Sequence, residues 1–186
     1  MTPTIRPAIL ADAPAIARLH LETQLVAYQN IFPLEKLQES LLAVEETTVR
    51  KRENLQNSDC TVIAEIDAAA VGYASGGVAR GTDSDYVEIN AGELYNMFVL
   101  PTYQKRGIGN QLFLAIVEFL QQNAYKSLLL WSIQGTAANY YYEKLGGQAV
   151  ATRQSEGPYP FSLTCYQWPQ LAELQATLWQ RQEQNV

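Results

Sequence analysis

Glu93-Leu94-Tyr95-Asn96-Met97-Phe98-Val99-Leu100-Pro101, followed by Thr102-Tyr103-Gln104-Lys105-Arg106-Gly107-Ile108-Gly109-Asn110, is the stretch on which the fold turns. The first nine residues read as an apolar, aromatic strand ended by proline. The next nine are polar and contain two glycines. They open a segment from about Gly107 to Asn123 in which Leu112, Ala115, Ile116, Phe119 and Leu120 recur at helical spacing. A strand, a tight turn and a helix are therefore expected in succession. Backbone N–H groups in the first turn of a helix lack partners within it, and the helix dipole adds partial positive charge, so such a turn suits a phosphate. Glycine at 107 and 109 removes Cβ atoms that would block an anion, and Lys105 and Arg106 bring two cations beside it. A Walker loop would end in Gly-Lys-Ser/Thr, and a dinucleotide fingerprint would need a third glycine where Leu112 stands. A glycine-rich turn that merely caps a helix has the same local pattern, so the rest of the chain must decide.

Upstream, residues 4–8 read as a short first strand. Asp12 stands as the N-cap of a helix with Pro14 in its first turn, running to about Leu25. An aromatic break at 28–33 precedes a second helix with a polar outer face, expected over 34–55. Strands at 60–66 and 71–78 flank a tight connection at 67–69, and residues 80–91 form a polar loop carrying Asp83, Asp85 and Glu88. Downstream, 127–132 is apolar without alternation, as in a strand buried on both faces. A helix over 136–145 is stopped by Gly146-Gly147. Strands at 148–153 and 161–168 follow, and Pro169 begins a C-terminal helix with Leu171, Leu174 and Leu178 on one side. The pattern is one mixed α/β domain without repeats or linkers.

The 186 residues suffice for one domain with its own core. Hydrophobic residues at 47% and charged residues at 17% exclude a disordered chain. A net charge of −6 and a pI near 4.8 argue against nucleic acid as a partner, because phosphate binding needs concentrated basic surface. No basic segment leads into an apolar run, and no stretch approaches the length of a membrane span, so a cytoplasmic chain with no membrane partner is expected. Cys60 and Cys165 with a single histidine, His20, fall short of a tetrahedral zinc site and read as buried, reduced thiols. His20 lies on the Ile16-Leu19-His20-Thr23 face of the first helix, a packed position. Serine or cysteine catalysis with a histidine base is therefore not expected.

Two motifs carry a family resemblance. Gln104-Lys105-Arg106-Gly107-Ile108-Gly109 matches the Arg/Gln-x-x-Gly-x-Gly/Ala signature of GNAT acyltransferases, after a strand ending Phe-Val-Leu-Pro as theirs does. Tyr141-Tyr142-Glu143-Lys144-Leu145-Gly146-Gly147 resembles the FYEKLGF block after their fifth strand. With the order of elements from Ile5 to the 161–168 strand, the chain is identified as a member of that superfamily. The resemblance implies a single GNAT domain over 1–186, with its core at 3–168 and a helical extension at 169–186. It implies a mixed, mostly antiparallel sheet of about seven strands flanked by helices, with the fourth and fifth strands splayed. It also implies acetyl-CoA as co-substrate and no metal. Met97, Phe98 and Val99 would pair with the pantetheine arm, and Gln104, Lys105, Arg106, Gly107, Ile108, Gly109 and Asn110 would cradle the pyrophosphate. Two positions depart from the family. Thr136 stands where asparagine is frequent, with Asn139 nearby to compensate, and Gly147 stands where phenylalanine is frequent.

The same resemblance assigns chemistry. Glu93, four residues before Met97, corresponds to the general base of many members, and Tyr142 to the tyrosine that protonates the departing thiolate and adjoins the cofactor. The Val99 N–H is the natural donor to the acetyl oxygen. Strand alternation puts Glu93, Tyr95 and Met97 on one face. Against these roles stand an exposed strand carboxylate at 93 and a core aromatic at 142, the latter being the better reading of Tyr140 and Tyr141. Tyr28, Phe32 and Tyr95 would wall the acceptor pocket, with residues after the fifth strand and near Tyr159, and aromatic walls hold an aliphatic chain or a cation. Asp83-Ser84-Asp85 would draw a positive acceptor or simply be solvated. The acceptor is expected to be a primary amine of a small molecule or peptide, acetylated directly in a ternary complex, and a homodimer is compatible with this. Two other classes are a non-catalytic acyl-CoA-binding or regulatory module and a nucleotide-phosphate enzyme. The pairing of Glu93 with Tyr142 argues against the first, and the lack of a Walker lysine or metal carboxylate against the second.

Overall fold

The computed structural model describes residues 2–57, 60–80, 90–156 and 159–183. The acidic stretch with Asp83, Asp85 and Glu88 lies outside them. Seven strands form one open sheet in the order β1-β2-β3-β4-β5-β7-β6: β1 (Thr4–Pro7), β2 (Cys60–Ile66), β3 (Ala69–Val78), β4 (Ala91–Val99), β5 (Ser127–Ile133), β6 (Gln148–Gln154) and β7 (Ser162–Trp168). Every neighbouring pair is antiparallel except β4 and β5, which run parallel. The mixed sheet and its strand count agree with expectation.

Helices cover both faces: α1 (Ala13–Ala27), α2 (Leu34–Leu42), α3 (Val44–Asn57), α4 (Ile108–Gln122), α5 (Ala137–Lys144) and α6 (Leu171–Glu183). On one face α4 buries Leu112, Phe113, Ile116, Val117 and Leu120 against β2, β3 and β4, while Ala115 and Phe119 are only partly buried at its margin. Leu171, Leu174 and Leu178 of α6 close this core, as the spacing of those leucines predicts. On the other face Ile16 and Leu19 of α1 pack on Ile63 and Tyr73. His20 and Thr23 are buried on the same side of α1, which bears out a packed histidine. Cys165 is buried, whereas Cys60 is only half-buried at the start of β2.

Two expectations need correction and one a refinement. The helix over 34–55 is two helices, parted at Ala43 (φ −86°, ψ 28°). Neither glycine nor proline marks the break, and the turn lets two short helices each lie against α1. Asp12 is the N-cap of α1 as expected, but its side chain makes no hydrogen bond into that helix. Its carboxylate accepts the Ile9 N–H at 2.8 Å and pairs with Arg6 at 2.7 Å, and Arg6 also binds Glu65 at 2.6 Å, tying β1 to β2 and α1. Third, Glu93, Tyr95 and Met97 do not share a face. The β3 register pairs Ser75 with Asn96 but Gly76 with Leu94, so Tyr95 is an extra, bulged residue in β4. Beyond it the alternation inverts, and Met97 and Val99 pack toward α4 while Phe98 packs with Tyr73.

Candidate functional site

β4 and β5 are paired only at Ala91–Ser127, Gly92–Leu128 and Glu93–Leu129. Past Glu93, β5 pairs with β7 alone, and β4 bulges at Tyr95. The strands therefore part beyond Glu93, and β4 keeps an edge without a β5 partner from Leu94 to Val99. Leu100 donates its N–H to Val71 on β3 at 2.9 Å. Backbone groups of an antiparallel strand alternate between its two edges. Phe98 consequently bonds toward β3, while the backbone groups of Met97 and Val99 face the open side. The Val99 carbonyl accepts the Gln104 side-chain amide there at 3.0 Å.

That bond ties the edge to the following turn. Pro101–Tyr103 makes a short 3-10 turn, Lys105 takes φ 59°, and Gly107 takes φ 77°, the left-handed region where a Cβ is strained. Gly107 is the N-cap of α4 and offers no side chain to the first-turn N–H groups. They remain available to an anion. Ile108 is buried in the core and contributes backbone only. Asn110 is buried, and its Oδ1 accepts the Tyr141 hydroxyl at 3.0 Å, locking α5 against the start of α4. The side chains of Lys105 and Arg106 are exposed, with Arg106 5.3 Å from the Tyr103 ring. The cradle expected over 104–110 is thus mostly backbone plus two cations, with Gln104 and Asn110 acting as braces. Tyr141, which sequence reading leaves as a core aromatic, is one of those braces.

Thr136 and Asn139 also spend their side chains locally. Thr136 is the N-cap of α5, its hydroxyl donates to the Ile133 carbonyl at 2.9 Å, and Asn139 Oδ1 accepts the Thr136 N–H at 3.2 Å. Asn139 Nδ2 donates to Ser132 at 3.1 Å. The pair forms a capping box that sets α5 on the end of β5. The glycine at 147 has its own explanation: a Cβ there would lie 2.6 Å from Trp168 Cζ2, so Trp168 fills the space a larger residue would take.

Tyr142 is buried among Phe113, Tyr141, Tyr166 and Trp168, with ring centroids 5.4 to 6.3 Å away. Among the described residues its hydroxyl has no hydrogen-bond partner. Burial raises its pKa, and Tyr28 lies near enough to raise it further. Tyr28 also acts on Tyr73. It stacks edge-on with Phe32 at 6.0 Å, and Phe32 with Phe161 at 5.2 Å, so the aromatic loop and the residue just before β7 form one wall. Phe161 is an addition to the expected wall, for which the nearby Tyr159 is the only sequence signal. Tyr95 stands apart from it. Its ring lies under the Arg80 guanidinium at 3.5 Å, and its hydroxyl donates to the Val78 carbonyl.

Glu93 is buried at the point where β4 and β5 part, 9% exposed, and its Oε2 accepts the Arg80 N–H at 2.6 Å. Burial raises its pKa, against the opposing pull of that hydrogen bond and of the Arg80 and Arg153 charges. A carboxylate so placed is a better proton acceptor than an exposed one. Arg80, which no motif marks, therefore belongs to the site.

Comparison with known proteins follows the same lines. The acetyltransferase (GNAT) domain family matches residues 57–146. The uncharacterized N-acetyltransferase YuaI of Bacillus subtilis (strain 168) is 30% identical over 149 residues, 80% of this chain and 82% of YuaI. The chain belongs to the GNAT acetyltransferase family and is an acyltransferase. Among solved structures, PaiA N-acetyltransferase from Thermoplasma acidophilum in complex with coenzyme A resembles it with a TM-score of 0.67 at 16% identity, over 88% of this chain and 98% of that one. YncA from Salmonella typhimurium, solved with its cofactor acetyl-CoA, does so with a TM-score of 0.60 at 21% identity, over 92% and 95%. These likenesses establish the GNAT fold. No helix among the described residues is long and apolar enough to cross a membrane.

Proposed function

We propose that the chain transfers an acetyl group from acetyl-CoA directly to a primary amine in a ternary complex, as one domain over 1–186 working in the cytoplasm. The observation that carries this reading is the parting of β4 and β5 immediately after Glu93, which opens the β4 edge between the carboxylate and the uncapped start of α4. Met97 and Val99 offer backbone groups to an amide-rich arm along that edge. The first-turn N–H groups of α4, with Lys105 and Arg106, would hold a pyrophosphate. The co-substrate supplies the thioester.

Each step falls to a named group. Glu93 takes the proton from the amine, releasing its lone pair. A backbone N–H of the open β4 edge, Met97 or Val99, receives the carbonyl oxygen as it gains charge. As the C–N bond forms and the C–S bond breaks, the Tyr142 hydroxyl delivers its proton to the departing thiolate, and the second proton that the nitrogen loses on becoming an amide returns to Tyr142 through water. Its raised pKa keeps the phenol protonated at neutral pH, as a donor must be. Thr136 and Asn139 act by setting α5, and Gln104 and Asn110 by setting the turn. Tyr28 and Phe32 wall the acceptor side.

The test is release of free thiol by the purified chain from acetyl-CoA across a panel of amines. Release with one or more amines above the amine-free rate supports transfer. Tight acetyl-CoA binding without release on any amine would replace this reading with a non-catalytic acyl-CoA-binding module.

A further inference from the structure

A second polar site lies beside Glu93, on the α1 face of the sheet, where no family motif falls. Lys51 of α3 is only 6% exposed. Its Nζ donates to the Tyr73 hydroxyl at 2.9 Å and lies 3.3 Å from His20 Nδ1, which is also 2.7 Å from that hydroxyl. An ammonium only donates, so His20 Nδ1 is the acceptor and the Tyr73 hydroxyl relays between them. His20 is neutral, its pKa lowered to about 3 by burial and then by the Lys51 and Arg50 charges. Two of the three Lys51 N–H donors are thus spent on neutral groups, and no carboxylate among the described residues pairs with it.

Lys51 borders a cavity of about 20 Å³, also lined by Asn54, Ser75, Arg80, Tyr95 and Asn96. That volume exceeds what one water needs and matches a small polar group rather than a whole substrate. Among the described residues two cations and several amide or hydroxyl groups line it, and no acid does, in a chain whose net charge is −6. Burying an ammonium without a counter-charge is costly. Burial and Arg50 lower the Lys51 pKa to about 8, as expected of a cation awaiting an anion. Arg80 joins this cavity to the carboxylate site, because it lines the one, with its guanidinium over the Tyr95 ring, while its backbone N–H holds Glu93 in the other.

We infer that this cavity is the anion subsite of the acceptor: a carboxylate on the amine substrate seats between Lys51 and Arg80, leaving the amine at Glu93. The acceptor class is then a small amino acid, not a polyamine or a neutral amine. This rests on the acetyl-transfer reading, and the experiment separates the two. Thiol release is measured for α-, β- and γ-amino acids, each against its carboxamide. Two charge-assisted hydrogen bonds predict an acid-to-amide ratio in kcat/KM of about 10- to 100-fold for the best pair. Lys51→Met, which keeps the stem and removes the charge, should bring that ratio to about 1, mainly through KM. Should that variant fail to fold, Arg80→Gln carries the same test, since its backbone N–H remains. A wild-type ratio near 1, or one unmoved by loss of the charge, overturns the subsite and leaves the cavity to water. Calorimetric titration of the same acids needs no turnover. Lys51-dependent binding without thiol release keeps the subsite and removes the transfer reading, whereas release without acid preference does the reverse.

Discussion

Replacing Glu93 by glutamine isolates proton transfer from packing. Glutamine keeps the volume, and its Oε1 can still accept the Arg80 N–H that the carboxylate accepts at 2.6 Å. It cannot take a proton. A positioned base contributes about 10²- to 10⁴-fold, or about 2.7 to 5.5 kcal/mol of activation free energy, so kcat should fall by that factor with acetyl-CoA affinity unchanged. The wild-type rate should rise with pH through a pKa above the ordinary carboxylate range, because burial raises it, and the variant should lose that limb. Stability should move the other way. A carboxyl whose folded pKa is raised holds its proton more tightly when folded, so stability declines as pH rises from the unfolded pKa through the folded one. At pH 7 wild type carries that penalty and Glu93→Gln does not. The variant should melt no lower than wild type at pH 7, with the difference shrinking below the unfolded pKa. Thiol-release kinetics from pH 5 to 9 and thermal denaturation at pH 7 and pH 4 measure both. Unchanged kcat and an intact acidic limb would refute the base assignment, and a lower melting temperature at pH 7 would refute the account of its burial.

Three further outcomes are expected. Gly107→Glu should abolish acetyl-CoA binding by calorimetry, since it sets bulk and negative charge at the start of α4 and forces a side chain into φ 77°, a strain of about 1–2 kcal/mol; wild-type affinity would remove the phosphate assignment. Tyr142→Phe should lower kcat by about 10- to 10⁴-fold with acetyl-CoA affinity retained, because only a hydroxyl without a hydrogen-bond partner among the described residues is deleted; thioesters with better leaving thiols should recover part of the rate, and normal turnover would return Tyr142 to the core. Phe113→Ala, which empties a fully buried site between α4 and the Tyr142 and Trp168 rings, should cost about 3–5 kcal/mol in denaturant melts; a loss below about 1 kcal/mol would contradict the packing described.

What was legible in the sequence was whatever depends on neighbours along the chain. The turn at 104–110, the leucines of α6 and the packed face of His20 each follow from local spacing, and each takes its expected place. What escaped depends on partners distant in sequence. Ala43 breaks a helix without glycine or proline, because α1 offers a surface that two short helices cover. Lys51 sits in a polar helix where a lysine reads as solvated, and becomes buried only when Tyr73, twenty-two residues on, closes over it. Arg80 follows a strand of small residues and meets Glu93 only across the β3–β4 pairing. Glu93 and Tyr142 were visible by family likeness, but the environments that shift their pKa values were not.

The Tyr95 bulge shows why alternation alone misplaces this site. With Glu93, Tyr95 and Met97 on one face, Met97 would leave the α4 core for the side that holds the carboxylate. One inserted residue separates them. Before it, Leu94 points to the α4 core and Glu93 to the opposite side; after it, Asn96 and Phe98 take the Glu93 side and Met97 and Val99 turn toward α4. A bulge also bends its strand and sharpens the local twist, and β4 loses β5 at the residues leading into it. The same irregularity can therefore open the edge that would receive the thioester and put Tyr95 and Asn96 at the cavity beside Arg80 and Lys51. The acyl donor would lie along that edge and the acceptor would reach it from the Glu93 face, as direct transfer without a covalent enzyme intermediate requires.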